Sequence, residues 1–127
     1  MVVPNEESER QTQLLRGALD MCLLALLAAE PAHGYELVRR MEAVGFGAVG
    51  YGTIYPLLTR MRRLGLVADE QQDSPNGPPR KVYGLTAAGR ERLATWRDQW
   101  TRFTGTVDDI LTGADVSGPA AAESSRS

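Results

Sequence analysis

The side chains with the most chemistry to offer are cations, and they bunch. Arg39-Arg40, Arg60, Arg62-Arg63 and Arg80-Lys81 all fall within residues 33–92, where nine Lys and Arg face six Asp and Glu, although the 127-residue chain carries a formal charge of −2. Guanidinium groups pair with phosphate oxygens and, bidentately, with guanine edges, so a basic middle between acidic ends points to a polyanion met by one region of the surface. Other chemistry is thin. One cysteine, Cys22, and one histidine, His33, cannot build an intrachain disulfide or a zinc site of three or four ligands. His33 has no second group for a proton relay and is expected to cap a helix. Cys22, set in an apolar run, is expected to act as a small hydrophobe. The glycines of residues 45–52 neither follow a strand nor lead to a lysine, so they make no phosphate loop. No enzyme, metal or cofactor is expected.

The arginines have to be held by something, and the local patterns say what. Over residues 53–64 the apolar Ile54, Leu57, Leu58, Met61 and Leu64 form one stripe at helical period. At about 100° per residue, Pro56, Thr59 and Arg63 fall opposite that stripe, with Tyr55 and Arg60 beside them. Thr53 is expected as the N-cap, which would put Pro56 in the first turn, where a missing N–H costs nothing. Before this helix, leucines 14, 15, 19, 23, 26 and 27 predict one buried helix over 13–29, and Leu37, Val38 and Met41 predict a shorter one over 34–43. After it, Leu66-Val67-Ala68 and Lys81-Val82-Tyr83-Gly84-Leu85 predict a β-hairpin around a long polar loop over 69–79.

From Ala87 the pattern turns helical again. Leu93, Trp96, Trp100, Phe103, Val107 and Ile110 follow one another at steps of three and four residues, the repeat of a helix that packs along another helix. A seam of that length calls for a second copy of the chain. Residues 1–12 and 112–127 lack apolar periodicity and are expected to be disordered. The organisation expected is thus a disordered arm (1–12), a DNA-binding domain (13–85), a dimerisation helix (86–111) and a disordered tail (112–127). No apolar run reaches the ~18–20 residues of a membrane span, and the acidic N-terminus is unlike a secretory signal, so a cytoplasmic, nucleoid-associated protein is expected.

Helix, helix, Gly-rich turn, helix, hairpin and long helix, in that order, make a mainly α fold with a small β-hairpin: a winged helix-turn-helix followed by a long C-terminal dimerisation helix. Four stretches carry a closer likeness: His33-Gly34-Tyr35-Glu36-Leu37, Gly52-Thr53-Ile54-Tyr55-Pro56-Leu57-Leu58, Arg63-Leu64-Gly65-Leu66-Val67, and Arg80-Lys81-Val82-Tyr83-Gly84-Leu85-Thr86-Ala87-Ala88-Gly89. Together they resemble the PadR family of bacterial transcriptional regulators, in its shorter-tailed form with one helix after the wing. The resemblance implies a homodimeric repressor of an inverted-repeat operator, released by a small molecule, in some relatives a planar aromatic one held between subunits. The wing tip, Asp73-Ser74-Pro75-Asn76-Gly77-Pro78-Pro79, departs from the Gly-Gly-rich tip usual there.

The residues expected to meet DNA are Arg39, Arg40, Thr53, Tyr55, Pro56, Thr59, Arg60, Arg63, Arg80 and Lys81. The seam from Leu93 to Ile110 is expected to hold the dimer, and Trp96 and Trp100, doubled by symmetry, are a candidate platform for a planar hydrophobic effector. Two other functions fit the same scaffold: a dimer that binds small planar aromatics, and a protein-interaction module whose basic patch meets an acidic partner, neither with specific DNA binding.

Overall fold

The computed structural model describes residues 6–47 and 49–113. Five helices and one hairpin follow one another as α1 (Glu6–Arg16), α2 (Leu19–Ala29), α3 (Gly34–Ala43), α4 (Tyr51–Arg63), β1 (Val67–Ser74), β2 (Gly77–Leu85) and α5 (Ala87–Leu111). The chain divides into two compact units, the first ending at Leu93 and the second beginning at Ala94. In the first unit, α2, α3, α4 and the base of the hairpin enclose one core, in which Leu23, Leu24, Leu27, Leu37, Met41, Ile54, Leu58, Met61, Leu66 and Val67 are essentially inaccessible. The hydrogen-bonding groups Ala32 and Tyr83 exchange, N–H to carbonyl in both directions at 3.0 and 2.8 Å, tie the start of α3 to β2 as a third, one-residue strand.

The N-terminal region differs from its expectation twice. Residues 6–12, expected to be disordered, are helical, and the helix expected over 13–29 is two helices bent by 62°. Glu6, Glu7 and Glu9 in the first turn of α1 and Arg16 in the last suit the helix dipole, which favours a helix even though none of its residues is buried. Gly17 then interrupts it, being the poorest helix former after proline, and Ala18 adopts φ −128°, ψ −11°, outside helical geometry. Only α2 is the buried helix that the leucines announce. Among the described residues no single helix is long and apolar enough to cross a membrane. The expected tail over 112–127 lies outside the described residues beyond Gly113, as do residues 1–5 of the arm.

The wing is longer and its turn tighter than its composition indicates. The ladder runs antiparallel from Val67 opposite Leu85 through Gln72 opposite Arg80, and Ser74 pairs with Gly77 across a two-residue turn at Pro75-Asn76. Most of the expected loop is therefore strand. Pro78 and Pro79, which cannot donate to a ladder, lie where the register slips between Gln72 and Ser74, the place a two-stranded ribbon tolerates them.

A short cap joins the wing to α5. Thr86 donates its hydroxyl hydrogen to the Gly65 carbonyl (2.7 Å) and accepts the Gly89 N–H (3.0 Å), so one side chain caps the helix and pins it to the end of α4. Gly89 is required there by contact: a Cβ would collide with the Leu66 carbonyl and come within 2.6 Å of Leu85 Cδ1. Gly105, farther along the same helix, has nothing within 4 Å of its would-be Cβ. Gly89→Ala is expected to lower unfolding free energy by about 3 kcal/mol, the scale of overpacking against backbone. Gly105→Ala is expected to raise it by ~1 kcal/mol through helix propensity. Urea midpoints of the two variants against the parent check both signs.

Candidate nucleic-acid interface

Burial decides which way α4 faces. Ile54, Leu58 and Met61 are completely buried, and this leaves Thr53, Tyr55, Pro56, Arg60 and Arg63 exposed and Thr59 half-exposed on the opposite side. Leu57, expected in the stripe, is half-buried at its edge, and Leu64 is 51% exposed just past the helix end. The helix starts three residues earlier than a cap at Thr53 would place it. Its N-cap is Gly50, whose carbonyl accepts from Thr53 and Ile54 N–H at 3.0 and 3.2 Å, so Thr53 is inside the helix and is not its cap. Pro56 consequently sits in the second turn and withholds a donor from the Gly52 carbonyl; Gly52 is exposed, and water can take that acceptor. Thr59 donates its hydroxyl to the Tyr55 carbonyl (3.1 Å).

Beside this face lies a half-open cleft of about 520 Å³ lined by His33, Tyr35, Arg39, Tyr51, Tyr55, Arg80, Lys81 and Tyr83. Tyr35 and Tyr51 stack with centroids 4.5 Å apart and planes 13° from parallel, and Tyr55 continues the row at 5.4 Å. Gly34 makes this possible, since a Cβ there would press into the Tyr51 ring, 3.2 Å from Cζ. Burial, followed by the neighbouring tyrosines, raises the pKa of the Tyr51 hydroxyl, and burial raises that of Tyr83, so both are un-ionised donors at neutral pH. His33 caps α3 as expected, its Nδ1 accepting the Glu36 N–H at 3.3 Å. The other ring nitrogen, Nε2, lies 3.4 Å from Arg80 Nη1.

The cations are not equivalent. Arg40 is largely buried and committed to the Glu30 carbonyl (3.0 Å), the Glu30 carboxylate (3.2 Å) and Glu36 (3.5 Å), so it holds α3 to the turn before it. Arg39 bonds Glu36 at 2.6 Å but stays 64% exposed; this hydrogen bond holds the Glu36 carboxyl below its ordinary pKa. Arg62 and Lys81 both reach Asp69, at 3.3 and 3.8 Å. Arg60, Arg63 and Arg80 have no ion pair among the described residues. The structure thus gathers Thr53, Tyr55, Pro56, Thr59, Arg60 and Arg63 on one helix face and Arg39, Arg80 and Lys81 around the adjoining cleft, and sets Arg40 apart as an internal tie. Tyr35, Tyr51 and Tyr83 join the cleft unforeseen; the four-residue spacing of Tyr51 and Tyr55 on one helix was the signal available for two of its rings.

The second unit is one helix with an apolar side. Trp100 and Phe103 have ring centroids 6.2 Å apart and are 40% and 60% exposed, Ile110 is 59% exposed, and Trp96 and Val107 are half-buried. Of the expected seam only Leu93, at the end of the first unit, is buried.

Comparison with known proteins places these features in a family. A family model described as the transcriptional regulator PadR-like family matches residues 23–95. A crystal structure of a PadR-like transcriptional regulator from Bacillus cereus is 37% identical, covers 78% of this chain and 96% of its own, and superposes with a TM-score of 0.71. A PadR family regulator from Eggerthella lenta is 34% identical over 84% of this chain and 93% of its own, with a TM-score of 0.78. The transcriptional regulator Rv3488 of Mycobacterium tuberculosis is 36% identical over 78 residues, 61% of this chain and 71% of that protein. The hairpin flanked by helices is the winged fold of those structures. On a family match spanning more than half its length, this chain belongs to the PadR-like transcriptional regulators, a family of DNA-binding regulators and not of enzymes.

Proposed function

We propose that this chain is a homodimeric repressor that binds a pseudo-palindromic operator through α4 and the base of the wing and is released by a small molecule. The observation that carries the DNA contact is the pairing of a completely buried stripe, Ile54, Leu58 and Met61, with an outward face whose Arg60 and Arg63 are in no ion pair among the described residues. Arginine on an exposed helix face next to a cleft rich in tyrosine hydroxyls and cations is equipped for phosphate on one side and for base edges on the other. Thr53, Tyr55, Pro56 and Thr59 meet the groove floor; Arg39, Arg80 and Lys81 take the flanking strand. Arg40, bound internally, contributes little. The dimer is supported by Trp100, Phe103 and Ile110, a contiguous apolar line that a single chain leaves in water. Two-fold symmetry then sets the half-sites ~34 Å apart. Trp96 and Trp100, brought beside their symmetry mates, offer a flat aromatic platform for a planar effector.

A mobility shift with the chain's own upstream DNA across a salt series tests the contact. Arg63→Ala is expected to weaken binding to every sequence and reduce the salt slope by about one, while Thr59→Ala changes which sequences are preferred. Wild-type affinity and preference in both variants would remove α4 as the reading helix. The effector platform is tested by tryptophan fluorescence: planar aromatic compounds are expected to quench saturably in the parent and not after Trp100→Ala, and absence of quenching in the parent would leave the seam a packing surface only.

A further inference from the structure

Three acids stand on the first strand of the wing, Asp69, Glu70 and Asp73, and they are used differently. Glu70 and Asp73 are exposed and in no ion pair among the described residues. Asp69 has a side chain only 19% exposed, and its Oδ2 takes both Arg62 Nη1 at 3.3 Å and Lys81 Nζ at 3.8 Å. Arg62 belongs to the last turn of α4, Asp69 to β1 and Lys81 to β2, so one carboxylate ties the end of α4 to both strands of the wing. The register sets Asp69 opposite Tyr83 and Lys81 opposite Gln71, which makes Lys81 the diagonal neighbour of Asp69 on one face of the ribbon. A negative charge held between two cations of a DNA-binding surface lowers affinity for any duplex, and its use must lie elsewhere than in affinity.

We propose that Asp69 is a positioning residue that determines specificity: it withholds Arg62 and Lys81 from DNA that α4 does not fit, and it keeps the wing in place against α4 for DNA that it does. The effect rests on the regulator function proposed above. Loose contact with any sequence draws its affinity from phosphate neutralisation, about 0.9 in salt slope for each cation engaged. A cation already balanced by a neighbouring carboxylate contributes less, so in loose contact Asp69 costs the share of Arg62 and Lys81 together. On the operator, α4 seated in the groove brings Lys81 to the flanking strand, while Arg62 stays behind and neutralises Asp69. The cost there is smaller. The same tie fixes where Arg80 and Lys81 stand relative to the outward face of α4, so base contacts and flanking phosphates are met together. Asp69 itself touches no DNA and acts through its two cations.

Asp69→Asn keeps the shape and removes the charge, and Asp73→Asn removes the same charge where no cation is paired with it. Each full-length protein is titrated by fluorescence anisotropy against the chain's own upstream DNA and against a shuffled duplex of equal length and composition, across a salt series. Asp69→Asn is expected to bind the shuffled duplex about tenfold more tightly than the parent, with a salt slope steeper by about one to two. Its gain on the upstream DNA is expected to stay below about threefold, so discrimination falls by at least about threefold. Asp73→Asn is expected to shift both duplexes by a common factor and leave the slope unchanged. Adding Arg62→Gln to Asp69→Asn is expected to take back about one unit of slope, which mere loss of wing structure would not do. Asp69→Ser serves the same comparison should Asp69→Asn lack the circular dichroism of the parent. An unchanged slope, equal gains on both duplexes, or loss of binding to both overturns the proposal. A parent that binds the two duplexes alike overturns the regulator function and with it any role in specificity. A parent that discriminates, beside an Asp69→Asn variant that discriminates as well, overturns the role of Asp69 alone.

Discussion

The rotation of α4 about its own axis is the constraint from which the rest of the first unit follows. Ile54, Leu58 and Met61 are fully excluded from water, and each such side chain is worth roughly 1.5–3 kcal/mol relative to exposure. Turning the helix far enough to bury Arg60 or Arg63 would forfeit most of that and strand a cation in an apolar core. The outward face is therefore set by what lies beneath it. The hairpin and α5 are referenced to the same element: Leu66 and Val67 enter the core directly after α4, and Thr86 caps α5 while bonding the carbonyl of Gly65.

Charge is partitioned by geometry as much as by sequence. Seven cations surround α3, α4 and the wing, yet Arg40 is consumed by Glu30 and Glu36, Arg62 and Lys81 share Asp69, and only Arg60, Arg63 and Arg80 lack a described internal acid. The exposed pairs are worth little in stability, so Arg39 and Lys81 can leave their acids at small cost when a phosphate is offered. Arg40 cannot do so as cheaply, being 20% exposed and bonded to a backbone carbonyl as well. A chain with a net negative charge can in this way present a positive face where its helix is exposed.

Much of this was legible in the sequence because period and punctuation are local. The stripe of α4, the extent of α3 from Gly34 to Ala43, the capping role of His33, the Thr86 cap and the spacing along α5 depend on residues within a turn or two of each other, and four motifs in order sufficed to indicate the family. What was not legible depended on distant partners. Nothing near Arg40 announces that Glu30 will hold it, Pro56 reads as a helix start until Gly50 takes the cap, and the prolines of the wing read as loop until the bulge accommodates them. The helix over residues 6–12 lacks an apolar stripe and rests on end charges, which a search for hydrophobic periodicity passes over. Local pattern determined the elements and their faces; only tertiary contact decided which charges are spent, which tyrosines meet and where their cleft opens, because those depend on side chains brought together across tens of residues.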